Sequence, residues 1–309
     1  MADPALRTRA RQEVEAALAL LDHPAAGKRR GGSNLAAAAA LPGLLDQLRT
    51  RADPGKPVMR TVHHLACTGG TRISRGIAAM PNTSVLSEVD PLSPMFPRSS
   101  FNPTDLISLS RQGRQPVENA KLVQIFLAGL RVLHDQYRAQ GRMLVLRDHS
   151  HSHFSYGETI PDRPDMREML GADFHVLPLV SVRHPLDSLL SLIENGWFRL
   201  SPATLEEYAR RYLVFLEHYK DVDILRYEDF VKSPESRMRQ ACEQLDLPYS
   251  ADFETIFPVI TLSGDSGRKS NVIRMRPRRD VPSDIAAQAA ESGSYQILCD
   301  QLGYDPVIG

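Results

Sequence analysis

Cysteine and lysine are the scarce residues of this chain. Its 309 residues include three cysteines (Cys67, Cys242 and Cys299), odd in number and far apart, so neither a disulfide framework nor a cysteine-rich zinc module is indicated. No apolar run approaches the roughly 20 residues that a membrane span needs. A charge of one sign is also missing: 37 basic residues balance 37 acidic ones, which argues against general nucleic-acid binding. The first residues carry acidic side chains and a helical period where a signal peptide would show an apolar block, so a reducing, cytoplasmic setting is expected. Only six lysines stand beside 31 arginines. Codon usage in a GC-rich genome explains such a bias, and so does recognition of phosphate or sulfate by planar guanidinium forks.

Composition is otherwise that of a globular domain, with 42% hydrophobic and 24% charged residues. Residues 1–56 read as a helical N-terminal extension, with amphipathic stretches either side of the basic, glycine-rich break GKRRGGSN. Residues 57–309 read as the main domain. Strands are predicted at VMRTVHHLA, TSVLSE, MLVLRDH, HVLPLVSVRH and DILRYEDF, with helices between them. The helix SPATLEEYARRYLVFLEHYKD is expected to start at Ser201, and residues 89–116 and 150–170 read as irregular segments. Five short apolar strands alternating with helices predict an α/β fold, a three-layer parallel sheet flanked by helices. Ligands in such sheets sit at the carboxyl ends of the strands.

The first strand ends in Cys67-Thr68-Gly69-Gly70-Thr71-Arg72, and a helix starts at once. Paired glycines permit a tight turn that aims backbone N–H groups from a helix N-terminus, and the threonines add hydroxyls, an arrangement suited to phosphate. A plain tight turn gives the same sequence. The pattern GxxxxGK[ST] of nucleotide triphosphatases is absent and no lysine lies in the loop, which disfavours an ATP- or GTP-hydrolysing machine. After the fourth strand, Arg183 and Ser191 stand eight residues apart in VRHPLDSLLS, a second anion-binding candidate. The alternative is an ordinary strand–helix junction with Arg183 paired to Asp187.

Taken together, the strand–TGGT–helix unit, R-x-P-x-x-S-x-x-S, and LRYEDF followed by P-E-x-x-x-x-x-x-C-E-x-L-x-L-P resemble the sulfotransferase family, over roughly Val58 to the C-terminus. The resemblance implies a P-loop, nucleoside-kinase-like fold and transfer of a sulfuryl group from 3′-phosphoadenosine-5′-phosphosulfate (PAPS) to a hydroxyl, with adenosine 3′,5′-bisphosphate as product and no metal. It implies that Cys67, Thr68, Gly69, Gly70, Thr71 and Arg72 cradle the 5′-phosphosulfate, that Arg183 and Ser191 hold the 3′-phosphate, and that Gly267, Arg268 and Lys269 cover it. Many members carry Lys or Arg where this chain has Cys67; Arg72 or Arg75 is the candidate substitute. A small residue chosen to fit, a redox-sensitive thiol with a lowered pKa, and an inactive site are all readings of Cys67.

Two residues are candidates for the general base. His149 follows the third strand in Leu146-Arg147-Asp148-His149, resembling a Lys-x-His run, with Arg147 in the lysine's place. Glu88 ends the second strand, where other branches of the family carry a glutamate. His149 is preferred, because an unperturbed imidazole titrates near pH ~6.5 whereas a carboxylate needs burial to act at neutral pH. His149, His151 and His153 alternate, so an extended chain points all three one way, towards an acceptor loop in preference to a metal. Asp148 is a candidate to orient a histidine, and Tyr227-Glu228-Asp229 reads as structural. The acceptor is expected to be a small-molecule, lipid or glycan hydroxyl. A non-catalytic nucleotide-binding protein and a P-loop small-molecule kinase remain the alternatives.

Overall fold

The computed structural model describes residues 55–95, 104–263, 272–275 and 277–306. The helical extension predicted for residues 1–56 lies outside these up to residue 54, as do Gly267, Arg268 and Lys269.

The main sheet has five strands, β1 (Val58–His63), β2 (Thr83–Val89), β3 (Met143–Asp148), β5 (His175–Val182) and β7 (Ile224–Arg226), in the order β2-β3-β1-β5-β7. Every pairing is parallel. The predicted α/β class is therefore the observed one. Alternating residues of β1, β3 and β5 feed two different cores, which is why these central strands read as continuous apolar runs. Val62, Val145 and Leu179 pack with Ile73 and Ile77 of α1 (Gly70–Ala78). Met59, Leu144 and Leu146 pack on the other face, with Leu127 and Leu130 of α3 (Asn119–Ala139) and Leu170 of α5 (Met166–Gly171). Further along that face, Val180 and Val182 meet α6 (Pro185–Glu194) and α7 (Leu205–His218).

The chain leaves β1 towards β2 on one side and leaves β5 towards β7 on the other. Loops that diverge from adjacent parallel strands open a crevice at their carboxyl ends. The two candidate anion motifs follow β1 and β5, so both are delivered to that crevice.

Several elements differ from expectation. The stretch 89–116 contains α2 (Leu106–Gln112), whose N-cap Asp105 accepts from Ile107 and Ser108 N–H groups. Residues 150–170 hold α4 (Ser150–Phe154), the two-residue strand β4 (Tyr156–Gly157), and most of α5, which starts in a capping box between Asp165 and Glu168. The N-cap of α7 is Thr204, which accepts from the Glu207 N–H, and not Ser201. Threonine followed three residues later by glutamate is itself a capping signature.

β4 pairs with β6 (Arg199–Leu200) as a short ribbon. It is held by Arg211, fully buried on α7, which donates to the carbonyls of Tyr156, Gly157 and Glu158. The Glu207 carboxylate balances that charge by accepting from Arg210 and Arg211. These bonds hold the Glu207 carboxyl at about 2, below its ordinary range. A depressed carboxyl stabilises the fold above its unfolded pKa and loses that contribution as the pH falls through the folded one. Glu207→Gln is therefore expected to lower stability by about 2 kcal/mol at pH 7, allowing for the half-exposed Arg210. The difference from wild type should shrink as the pH falls below the ordinary glutamate range and vanish only below about 2. Urea unfolding at stepped pH measures both values.

Candidate active site

Beyond β1 the chain turns through Cys67 and Gly69, both with positive φ (65° and 87°), and enters α1. No side chain caps the start of α1, and no acidic residue occupies its first turn. The Arg72 N–H donates to the Gly69 carbonyl at 2.9 Å, so the Gly70 and Thr71 amides are the ones left for an external acceptor. The glycines are needed for space as well as conformation: a Cβ on Gly69 would sit 2.1 Å from the Tyr227 ring, and one on Gly70 would sit 2.1 Å from the His64 imidazole. Thr68 turns inward and donates its hydroxyl to the Leu65 carbonyl at 2.7 Å. Thr71 faces the cleft.

Arg183, just past β5, donates to the Cys67 carbonyl at 3.1 Å and to Ser191 Oγ at 3.3 Å, and its guanidinium lies 5.3 Å from the Tyr227 ring centre. The two residues that the sequence set eight apart meet at the glycine loop. Asp187 pairs instead with Arg278, at 3.2 Å, so the alternative Arg183–Asp187 junction is not what forms. Arg278 and Arg279, from the basic C-terminal stretch, line the same cleft. Arg279 pairs with Glu194.

Both base candidates are brought together. The β2–β3 register slips between Ser87 and Val89, and Glu88 takes φ 61° there. Such a bulge re-aims a side chain, and a left-handed non-glycine residue costs energy that a functional site can retain. The Glu88 carboxylate reaches Arg147 Nη2 at 2.6 Å and His149 Nε2 at 3.4 Å. Burial raises the Glu88 carboxyl above its ordinary value, opposed by the charges of Arg147 and His149.

Arg147 is almost completely buried, and acceptors surround its whole fork. Nε donates to His64 Nε2 at 2.8 Å, and Nη1 to Ser87 Oγ at 2.9 Å and the Ser263 carbonyl at 3.0 Å. Nη2 donates to Thr71 Oγ1 at 2.7 Å as well as meeting Glu88. His64 Nε2 must then be unprotonated, so its Nδ1–H donates to the Leu65 carbonyl at 2.9 Å. Burial, reinforced by Arg147, pushes the His64 pKa well down and keeps the ring neutral.

The remaining candidates separate clearly. Arg75 is tied to the Phe257 carbonyl at 2.9 Å with its guanidinium over the Phe257 ring. Arg72 lines the cleft, and its buried Nη1 has no partner among the described residues. Cys67 Sγ lies 3.6 Å from Asn195 Nδ2. The three alternating histidines are not extended: α4 takes His151 and His153 into a helical turn, so they do not share one direction. His153 stacks on Phe154, 3.2 Å from the Pro161 carbonyl, while His149 and His151 line the cleft. Asp148 does orient a histidine, the buried His63, at 3.0 Å. Glu228 accepts from the His184 N–H at 3.0 Å and the Tyr304 hydroxyl at 2.6 Å, the structural part expected of it. Asp165, Glu168 and His218 cluster closely enough to hold a cation. Asp165 is already engaged there by the Glu168 N–H and by His218.

Thr71, Arg72, Glu88, Arg147, His149, Arg183 and Ser191 line one cleft of about 1120 Å³. Sequence reasoning missed His64, Ser87, Asn195 and Ser263. Nothing in their local patterns marks them, because each matters only through its partner in the fold.

No protein-family profile matches the chain, and no curated protein does. Among solved structures, a sulfotransferase from Alicyclobacillus acidocaldarius is similar at 12% identity and a TM-score of 0.37, covering 81% of this chain and 97% of that one. A likeness at that level defines neither a family nor a chemistry.

Gly69→Ala tests the loop. Its left-handed φ costs an L-residue about 1–2 kcal/mol, and the collision with Tyr227 adds about 1–3 kcal/mol. A drop in stability of that combined order is expected by urea unfolding.

Proposed function

We propose that this chain is a sulfotransferase that uses PAPS to sulfate a hydroxyl. The observation that carries the reading is the junction of Arg183, Ser191 and the Cys67 carbonyl beside the uncapped start of α1, in the same cleft as Glu88 and His149. A bisphosphorylated nucleotide needs two anion sites. Arg183 with Ser191 suits the 3′-phosphate, and the Thr71–Arg72 end of the loop suits the 5′-phosphosulfate. The Arg72 Nη1, which has no partner among the described residues, and the uncapped start of α1 fit such a group. Three cysteines that form no disulfide among the described residues suit a reducing, cytoplasmic setting.

PAPS supplies an activated sulfuryl group on a good leaving phosphate. His149 takes the proton of the acceptor hydroxyl, and Glu88, 3.4 Å away, stabilises the imidazolium that results. Arg147 holds Glu88 in place and, by donating to Thr71 Oγ1, leaves the Thr71 hydroxyl proton free to meet the leaving oxygen. Arg72, at the first turn of α1, takes the place of the basic residue missing at Cys67.

Adenosine 3′,5′-bisphosphate at about 100 times its Kd should add about 2.7 kcal/mol, a rise in Tm of roughly 5 °C or more, and ATP much less. Arg183→Ala should weaken that binding about 10- to 100-fold, the worth of a charge-assisted bond. His149→Ala should keep the bisphosphate shift and lose sulfuryl transfer. No shift at saturating bisphosphate overturns the proposal. A full shift with no transfer in wild type favours the non-catalytic nucleotide-binding protein that Cys67 suggests.

A further inference from the structure

One side chain of the cleft is left unused by the donor chemistry. His151 is 6% exposed and lines the cleft, and its Nδ1 has no partner among the described residues. A buried polar atom left in this way costs about 1–3 kcal/mol, which a ligand recovers by supplying the missing partner. Burial, with His149 beside it, lowers the His151 pKa to about 3, so the ring is neutral at physiological pH. A neutral imidazole has one donor and one acceptor. A hydroxyl has the same pair, whereas a carboxylate or phosphate only accepts and an ammonium only donates.

The His149 and His151 ring centres are 6.4 Å apart. Two neighbouring oxygens of one ligand, each at a hydrogen-bond length of about 2.8 Å, can span two rings at that distance. The same cleft is lined by Tyr156 and Trp197, which belong to the β4–β6 ribbon and its approach. Arg211 pins that ribbon through three carbonyls, so its aromatic surface is a fixed part of the wall. Flat aromatic surface suits the face of a ring.

We propose that the acceptor is a vicinal diol carried on a ring, with one hydroxyl delivered to His149 and its neighbour bound by His151. This rests on the sulfotransferase reading of the cleft. The first oxygen forms the new S–O bond and gives its proton to His149, while the bond from sulfur to the donor's phosphate oxygen breaks. The second oxygen keeps its proton and stays a hydrogen-bonding group, so His151 sets specificity and takes no part in the bond changes. Sugars and catechols share this chemistry.

The test measures transfer from PAPS to matched pairs: methyl glucopyranoside against its monodeoxy analogues, and catechol against phenol. In at least one pair kcat/KM for the diol should exceed that for its partner by tenfold or more. The pair that responds tells a sugar from an aromatic diol. His151→Ala should erase the preference mainly through KM, and His151→Asn, whose amide stands near the Nδ1 position, should restore part of it. The bisphosphate thermal shift, measured in both variants, reports that they are folded with the donor side formed. Equal rates within every pair, an undiminished preference in His151→Ala, or no transfer to any diol by a protein that binds the bisphosphate would overturn the inference. A wild-type protein that fails to bind the bisphosphate overturns the donor reading along with it.

Discussion

The buried guanidinium of Arg147 is the interaction on which the site depends. A buried arginine is stable only if its five N–H groups find acceptors, and here His64, Ser87, Ser263, Thr71 and Glu88 provide them. Those five come from the loop after β1, the start of α1, the end of β2, and the segment around Ser263. Satisfying one side chain therefore fixes the relative positions of four parts of the chain. A lysine, with three donors on a compact head, could not hold all five. The resemblance put Arg147 in a lysine's place; the fold uses it as a spacer between the glycine loop and the candidate base.

A second constraint is close packing around that loop. Gly69 and Gly70 lie against Tyr227 and His64 with no room for a Cβ, and Tyr227 also lies under Arg183. His64 is at once the wall of the loop and an acceptor for Arg147. The loop's shape, the neutral state of His64 and the placement of Arg147 are consequently one problem with one solution. Interiors packed at this density transmit a displacement of any member to the others.

The wall of the cleft built by α4, β4 and β6 obeys a different logic. Its elements are short: α4 has five residues and β4 and β6 two each, too short to be stable by themselves. They are held from outside by buried charge, through Arg211 on the ribbon and through the paired Arg163 and Asp90 beside α4, where Ser152 also donates to Asp90. The position of that wall of the cleft is borrowed from the ion pairs behind it.

The main-sheet strands, their parallel arrangement and the two candidate anion motifs were legible in the sequence because each has a local signature. Apolar runs between helices mark β1, β2, β3, β5 and β7, two glycines mark a turn before a helix, and an arginine eight residues from a serine brings both to one strand–helix mouth. Short elements were not legible where capping residues alone announce them, as at Asp105 and Asp165. The histidine triplet misled because alternation predicts a shared face only in a strand, and α4 is a helix. Whether Glu88 or His149 occupies the base position was posed in the sequence as a choice between two strand ends. Adjacent parallel strands made them neighbours, and a bulge at Glu88 turned its carboxylate towards Arg147 and His149. Sequence alone determined which residues reach the carboxyl edge of the sheet, since that follows from strand periodicity. Which of them touch was decided only by the tertiary structure, because contact across the edge depends on strand order, register and the pairing of buried charge.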